Sequence, residues 1–461
     1  MKKFTRTIAA VITAITMTAA AVPTGAYAAD VVNTAVQQDI INGTIELNDT
    51  KEYFYSDEYF SKPGSEPNEH MRTMSAALEF SLNGTGTEYY NLLENIGFTD
   101  VRADDMYKTA ADTIGSVVAH KVIDGTPVVA VAIRGTGYAQ EFSSNFKSGT
   151  EGDAKGFSEA AQKVEARVKD YISCKGFEHA KYWVVGYSRS GAVANLVGRD
   201  MNKDNEGFRT SFDDIYTYTF EAPNASADDT CFENIHNIYD RNDLVPCIYP
   251  ESWGIFLNGV KEEISGEDVA VDKKVMDLLS KGFMSSTGTT TANEANNNLV
   301  KLLADNISRE TFSTNLEEHL GKIMNIWFSM NRTKREAVNK FLDQMLNCAK
   351  ADIFKAIPVV SGILSDPTSE KSINGMAEFF EDSIDKASKI VNNPFTAEET
   401  ETFKAALRPI FRVFMPVIRK DFDNSMTTIF TVIGNVSTII STHYNHNVFD
   451  KLTKLDSFYV D

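Results

Sequence analysis

Tyr182-Trp183-Val184-Val185-Gly186-Tyr187-Ser188-Arg189-Ser190-Gly191-Ala192 is the stretch on which the reading of this chain turns. Four large apolar residues make a short buried strand, and the apolar and small residues from Ala192 to Met201 continue as a helix, so the glycine-flanked middle must be a sharp strand-to-helix turn. A serine at the tip of such a turn stands clear of its neighbours. The backbone amide after it, from Arg189, sits at a helix N-terminus, where unpaired N–H groups and the helix dipole favour negative charge. That combination suits a nucleophilic serine with an oxyanion site beside it. Ser190 occupies a place where glycine is more usual, and its small side chain still allows a close turn.

Working outward, Val117 to Ile123 and Val128 to Ile133 are β-rich runs joined at Asp124-Gly125, which reads as a hairpin; the second run is continuously apolar and so belongs in the middle of a sheet. Gly156 to Lys175 repeats Phe157, Ala161, Val164, Val168 and Ile172 at helical spacing. Ile215 to Phe220 and Ile235 to Tyr239 are further strands. Strands alternating with helices imply an α/β class fold with a mostly parallel central sheet flanked by helices. Residues 29 to about 60 look polar and irregular, and from about Val271 to Ser441 helical patterns recur without a convincing strand pair. Thr396-Ala397-Glu398-Glu399 is a capping box within that region. The expected organisation is a cleaved leader at 1–28, a core at 29–265, an all-helical insertion at 266–440 and a return to the core at 441–461.

The leader is basic at Lys2, Lys3 and Arg6, apolar from Ile8 to Val22, and ends in Ala26-Tyr27-Ala28, the pattern of an export signal cleaved before Ala29. No later stretch is apolar enough to span a bilayer, so the mature chain is expected to be secreted and soluble. Cleavage leaves 42 basic residues against 64 acidic, a formal charge of −22, which disfavours nucleic acid and anionic membrane as partners. Cys174, Cys231, Cys247 and Cys348 are spaced too widely for a metal knuckle or redox pair. One disulfide, Cys231 with Cys247, and four free thiols are the two expectations.

A hydrolase of this kind orders its triad serine, acid, histidine. The strand Ile235–Tyr239 leads into Asp240-Arg241-Asn242-Asp243-Leu244-Val245-Pro246, where Asp243 is the preferred acid and Asp240 the alternative. His70, His120, His179 and His236 come too early, and His319 sits on the wet face of a helix. His443 and His446 follow a break after a long helical stretch, and the residues alone leave the choice of base between them open. Arg134-Gly135-Thr136-Gly137 follows the central strand, so Thr136 can join the Arg189 amide as an oxyanion donor. The chemistry requires no metal or cofactor. Phe328-Ser329-Met330, Ile410 to Met415 and Ile429-Phe430 could line an acyl pocket, although apolar helical stripes more often form plain core.

Taken together, Ala132-Ile133-Arg134-Gly135-Thr136, Gly186 to Ala192, Phe220-Glu221-Ala222-Pro223 and Asn242-Asp243-Leu244-Val245-Pro246 resemble, in order, the oxyanion loop, nucleophile elbow, strand end and acid motif of the lipase class 3 family of fungal-type lipases and their bacterial relatives. The resemblance covers roughly residues 70 to 255 and the C-terminal histidine region. It looks closest to a secreted bacterial branch with arginine after the nucleophile and with Tyr138 and Glu141-Phe142-Ser143-Ser144-Asn145-Phe146 in the oxyanion segment. There, a histidine followed by tyrosine favours His443, whereas the wider family's histidine with an aromatic three places on favours His446 and Phe449. The resemblance implies an α/β-hydrolase fold with a large helical cap and hydrolysis of an ester, a lipid among the candidate substrates. A catalytically silent binding protein on the same frame, and a peptidase or deacetylase using the same triad, are the rival functions.

Overall fold

The computed structural model describes residues 40–47, 49–84, 86–108, 113–135, 141–275, 285–330, 332–352, 365–366 and 369–459. The leader, Thr136 and Tyr138 lie outside them. The chain divides into two compact units.

The first unit takes the described residues before Gly137, then Glu151–Glu267, and closes with the described part of Ser441–Asp461. It opens with an antiparallel pair, β1 (Ile41–Glu46) and β2 (Thr50–Tyr55), where an irregular leader was expected. Tyr53 and Tyr55 of β2 are buried in the core on alternate positions while Thr50 and Glu52 are exposed, so a half-buried strand passes for a polar segment. Helices α1 (Glu69–Ser81) and α2 (Thr87–Asn95) follow. The main sheet then runs β3 (Thr99–Asp104), β4 (Ser116–Ile123), β5 (Thr126–Ile133), β6 (Lys181–Tyr187), β7 (Ile215–Phe220), β8 (Ile235–Tyr239) and β9 (Val260–Glu263), seven strands side by side in chain order. β3, β4 and β5 are antiparallel neighbours, and β5 through β9 are parallel. The Asp124-Gly125 turn carries positive φ at both residues, 49° and 79°, as a two-residue hairpin of matching twist requires.

Parallel strands need crossovers. Helix α3 (Lys155–Lys175) links β5 to β6, and α4 (Arg189–Lys203) links β6 to β7. Side chains alternate across β6: Trp183 and Val185 join the cluster containing Met74 of α1, with the Trp183 indole N–H donating to Ser75 Oγ at 2.7 Å, while Gly186 faces Ala194 of α4. Both faces of the sheet are therefore covered. Val128, Val129, Val131 and Ile133 of β5 are all fully buried, each contributing about 1.5–3 kcal/mol of transfer free energy. A final helix, α5 (Asn445–Thr453), packs on α1.

The second unit takes the described residues of Tyr138–Thr150 and Asp268–Ile440. Its helices include Ala292–Ala304, Glu317–Ser329, Arg332–Ala351, Glu370–Ile390 and Ala397–Lys420, the last opened by the Thr396–Glu399 capping box. It is not all helical: Ala270–Val275 pairs antiparallel with Ser285–Thr291. The second of these strands is almost entirely serine and threonine, with β-branching but no apolar alternation to reveal it. Residues 141–150 pack here, with Arg309 donating to Ser148 O at 2.6 Å and Gly149 O at 2.9 Å. Phe411 and Met415 sit in this unit's own core with Phe341 and Phe380, and Met330 packs with Val338. Ile410, Val413, Phe414 and Ile429 are likewise buried; the side chains of Phe328, Ser329 and Phe430 lie outside those described.

The four cysteines are free thiols, so the Cys231–Cys247 bond is not made. Cys231 is exposed, whereas Cys247 turns into the protein, where burial and the nearby Asp243 charge push its thiol up to about 11. Among the described residues no helix is long and apolar enough to cross a membrane.

Candidate active site

The turn at Ser188 is built by close approach. Ser188 adopts φ 57° and ψ −124°, a conformation an L-residue holds only under constraint, and its N–H donates to Phe220 O at 2.8 Å. A Cβ added at Gly186 would lie 2.2 Å from Ser190 O, and one at Gly191 would lie 2.9 Å from Ala222 Cβ. Both contacts are below any permitted separation, which is why the turn is flanked by glycine. Ser190 has a part of its own: its Oγ accepts from Tyr187 N at 2.9 Å and donates to Tyr187 O at 2.9 Å, closing the bend from inside. A Gly186→Ala protein is therefore expected to lose about 1–3 kcal/mol of stability, read from urea midpoints, because the crowding atom is backbone and cannot rotate away.

Asp243 lies in the loop after β8. It is 1 % exposed, and its Oδ1 accepts from Val245 N at 3.0 Å. His443 stands just before α5. Its Nδ1–H donates to Asp243 Oδ2 at 2.5 Å, and its Nε2 accepts from Ser188 Oγ at 2.9 Å. The carboxylate on one ring nitrogen sets the tautomer, leaving the other nitrogen free to take a proton. The imidazole also stacks on Tyr187, ring centroids 5.1 Å apart. Thus serine, histidine and acid, 55 and 200 residues from Asp243 in sequence, meet in one hydrogen-bonded chain.

The alternatives fall elsewhere. Asp240 is fully buried but occupied: Asn242 N, Asn242 Nδ2 and Ser265 Oγ donate to its Oδ1 at 2.8–2.9 Å, and Lys451 pairs with its Oδ2. His446 stacks on Tyr444, and burial lowers its tendency to protonate. His319 belongs to the second unit, half-buried, and is similarly lowered by desolvation. Arg189 begins α4, so its amide is among those without an intrahelical acceptor, while its guanidinium is buried and donates to Thr113 O at 3.3 Å. Thr136 lies outside the described residues, one place beyond Gly135.

Three participants carry no chemical motif that sequence reading singled out. Glu79 is buried in the interior of α1 and accepts from Asn445 Nδ2 at 3.3 Å, tying α1 to the start of α5, two residues after His443. Desolvation pushes its carboxyl up to about 8, against weaker opposing pulls from Asn445, the Gly135 amide and Arg134. Because the unfolded chain loses this proton from about 4.5 upward and the folded chain does not, its contribution to stability falls as pH rises from there to about 8. Glu221, after β7, is also fully buried, and the Lys451 ammonium on α5 partly offsets the cost of charging it. Glu221 was visible only as part of a strand-end motif.

Among the described residues one group has metal-ligand composition, Glu69, His70 and Asp456. His70 Nδ1 is bonded to Asp456 Oδ1 at 2.6 Å and its ring stacks on Phe458 at 3.5 Å, so these residues dock the C-terminal segment onto α1.

A mostly parallel sheet covered by helices on both faces, with a serine at the strand-to-helix turn after β6, is the α/β-hydrolase arrangement. No protein-family model matches the sequence, and no curated protein matches it either. Solved structures similar to the chain include M37 lipase, at 16% identity over 40% of this chain and 70% of that one with a TM-score of 0.31; the Rhizomucor miehei lipase propeptide complex, at 16% identity over 50% and 76% with a TM-score of 0.31; and lipase II from Rhizopus niveus, at 15% identity over 42% and 81% with a TM-score of 0.30.

Proposed function

We propose that this chain is a secreted serine hydrolase that cleaves carboxylic esters through Ser188, His443 and Asp243. The observation that carries the reading is the continuous hydrogen-bonded path from Ser188 Oγ through His443 to Asp243, 2.9 Å and 2.5 Å long at its two links. A silent binding frame would have no need of an imidazole within reach of the serine.

In the proposed reaction His443 Nε2 takes the Ser188 proton as Oγ attacks the ester carbonyl. Asp243 holds the imidazolium that forms. The Arg189 amide, with Thr136 as the partner donor, stabilises the oxyanion at the N-terminus of α4. His443 then returns its proton to the leaving alcohol, and water repeats the sequence on the acyl-enzyme. The motifs shared with class 3 lipases and their secreted bacterial branch favour ester over amide bonds, with lipids among the substrates. Export and cleavage before Ala29 complete the proposal, and N-terminal sequencing of the protein recovered from culture medium checks them.

The mature protein is expected to be labelled by a fluorophosphonate probe and its Ser188→Ala variant not. Hydrolysis of p-nitrophenyl esters of increasing chain length then separates an esterase from a lipase. A folded wild-type protein that resists the probe would sink the proposal.

A further inference from the structure

We infer that Glu221 is a positioning residue for this site, a neutral carboxylic acid that donates a hydrogen bond to the carboxylate of Asp243. The inference deepens the ester-hydrolase reading, since it concerns the acid that orients His443.

The backbone supplies the first reason. Glu221 follows β7 with φ 48°, a left-handed conformation that costs a non-glycine residue of order 1 kcal/mol or more. It is held there by its N–H, which donates to Ile238 O at 2.9 Å, and by the preceding carbonyl, Phe220 O, which accepts from Ser188 N at 2.8 Å. One strained residue thus joins the nucleophile turn to the loop of the acid. Glycine would take that backbone without strain, so the side chain has to account for its presence.

The side chain supplies the second. Glu221 is 0 % exposed, and both of its carboxyl oxygens face the Asp240 amide, at 3.0 and 3.2 Å. Its carboxyl is also within hydrogen-bonding reach of Asp243. Among the described residues, Lys451 from α5, Cys247 and the buried Tyr187 at the end of β6 are the other titratable groups whose charge bears on it. Among the described residues, Lys451 is the ammonium that acts on Glu221, and it also pairs with Asp240. Lys451 is committed to Asp240, whose remaining partners Asn242 and Ser265 all donate, as an ionised group requires. Asp243 receives N–H bonds from Val245 and His443, which likewise suit a carboxylate.

Two carboxyl groups bond to each other only when one of them carries a proton. With Asp243 engaged as the acceptor for His443, the proton stays on Glu221. Burial, and then the Asp243 charge, push the Glu221 carboxyl well above its ordinary range, and Lys451 offsets this only in part. The hydrogen bond restrains the Asp243 carboxylate and draws off some of its charge, which tempers its hold on the imidazolium.

The test is the pH at which His443 titrates, followed by NMR of its ring protons in wild type, Glu221→Gln and Glu221→Leu, none of which depends on turnover. Glutamine keeps a donor and no charge, so its midpoint should match wild type within about 0.3 pH unit. Leucine removes the donor, leaves Asp243 more basic and should raise the midpoint by about 0.5–1 pH unit. A fall of about one unit or more in Glu221→Gln would mean that an anion had been removed, and unchanged midpoints in both variants would mean no coupling; either result overturns the inference. Infrared difference spectra give a second reading even if the leucine protein does not fold: at neutral pH, beyond the protonated-carboxyl absorption that Glu79 contributes in both proteins, wild type must show a C=O band that Glu221→Gln lacks, and a difference spectrum without that band overturns the inference. Loss of probe labelling by wild type would count against the hydrolase reading alone.

Discussion

Replacing His443 with alanine is expected to lower kcat/KM toward a p-nitrophenyl ester by about 10⁵-fold or more, and Ser188→Ala to do the same, with the double variant no worse than either single one. The reason is geometric. Ser188 Oγ is a weak nucleophile until a base 2.9 Å away removes its proton, and no other imidazole among the described residues bonds to it. Since the two groups act in one step, losing the second after the first removes nothing further; what remains comes from the oxyanion donors and binding. His446→Ala supplies the contrast. That ring lies against Tyr444 and faces Asp450, Asp49 and Lys51, so kcat/KM should stay within about threefold of wild type. Comparable losses in the two histidine variants would reverse the assignment of the base.

The second large effect concerns the acid. Asp243→Asn should drop kcat by about 10⁴-fold with the fold intact, because an amide can present its N–H to His443 Nδ1 and so force the proton onto Nε2, the nitrogen that must accept from Ser188. Asp240→Asn should behave in the opposite way. Its carboxylate holds Lys451 and closes the loop through Asn242 and Ser265, so its loss should lower stability by about 1–3 kcal/mol while kcat falls far less. Kinetics and urea melts of the two proteins, measured side by side, separate an orienting acid from a structural one. A small kinetic effect at Asp243 with a large one at Asp240 would exchange their roles.

The central strands were readable because burial on both faces leaves a continuous apolar run. β5, β7 and β8 fall within two residues of their expected spans. Ser188 was legible for a related reason: a buried strand, two glycines and an apolar helix leave only a sharp turn between them. The sheet edges were not legible. β3 reads Thr-Asp-Val-Arg-Ala-Asp and β9 reads Val-Lys-Glu-Glu, because an edge strand is kept from pairing with other chains by charge rather than marked by apolar alternation. The pair Ala270–Val275 and Ser285–Thr291 escaped notice because Val271 and Val275 are interrupted by Lys273 and the partner strand is serine and threonine, which leaves no sustained apolar alternation.

Local pattern was thus enough for the parallel core, the serine turn and the short choice of acids and bases, since each depends on residues close together in the chain. Asp243 was preferred over Asp240 from the residues and His443 over His446 only through the resemblance, and it is in the packed fold that His443 and Asp243 are hydrogen-bonded in line with Ser188. In each pair the two residues are chemically alike and at most three positions apart, and only the return of α5 to the sheet determines which imidazole meets Ser188 and which carboxylate is already spent on Lys451. The same packing brings Glu221 against Asp243. Its significance is a matter of buried charge, and burial is a property of the whole fold rather than of any stretch of sequence.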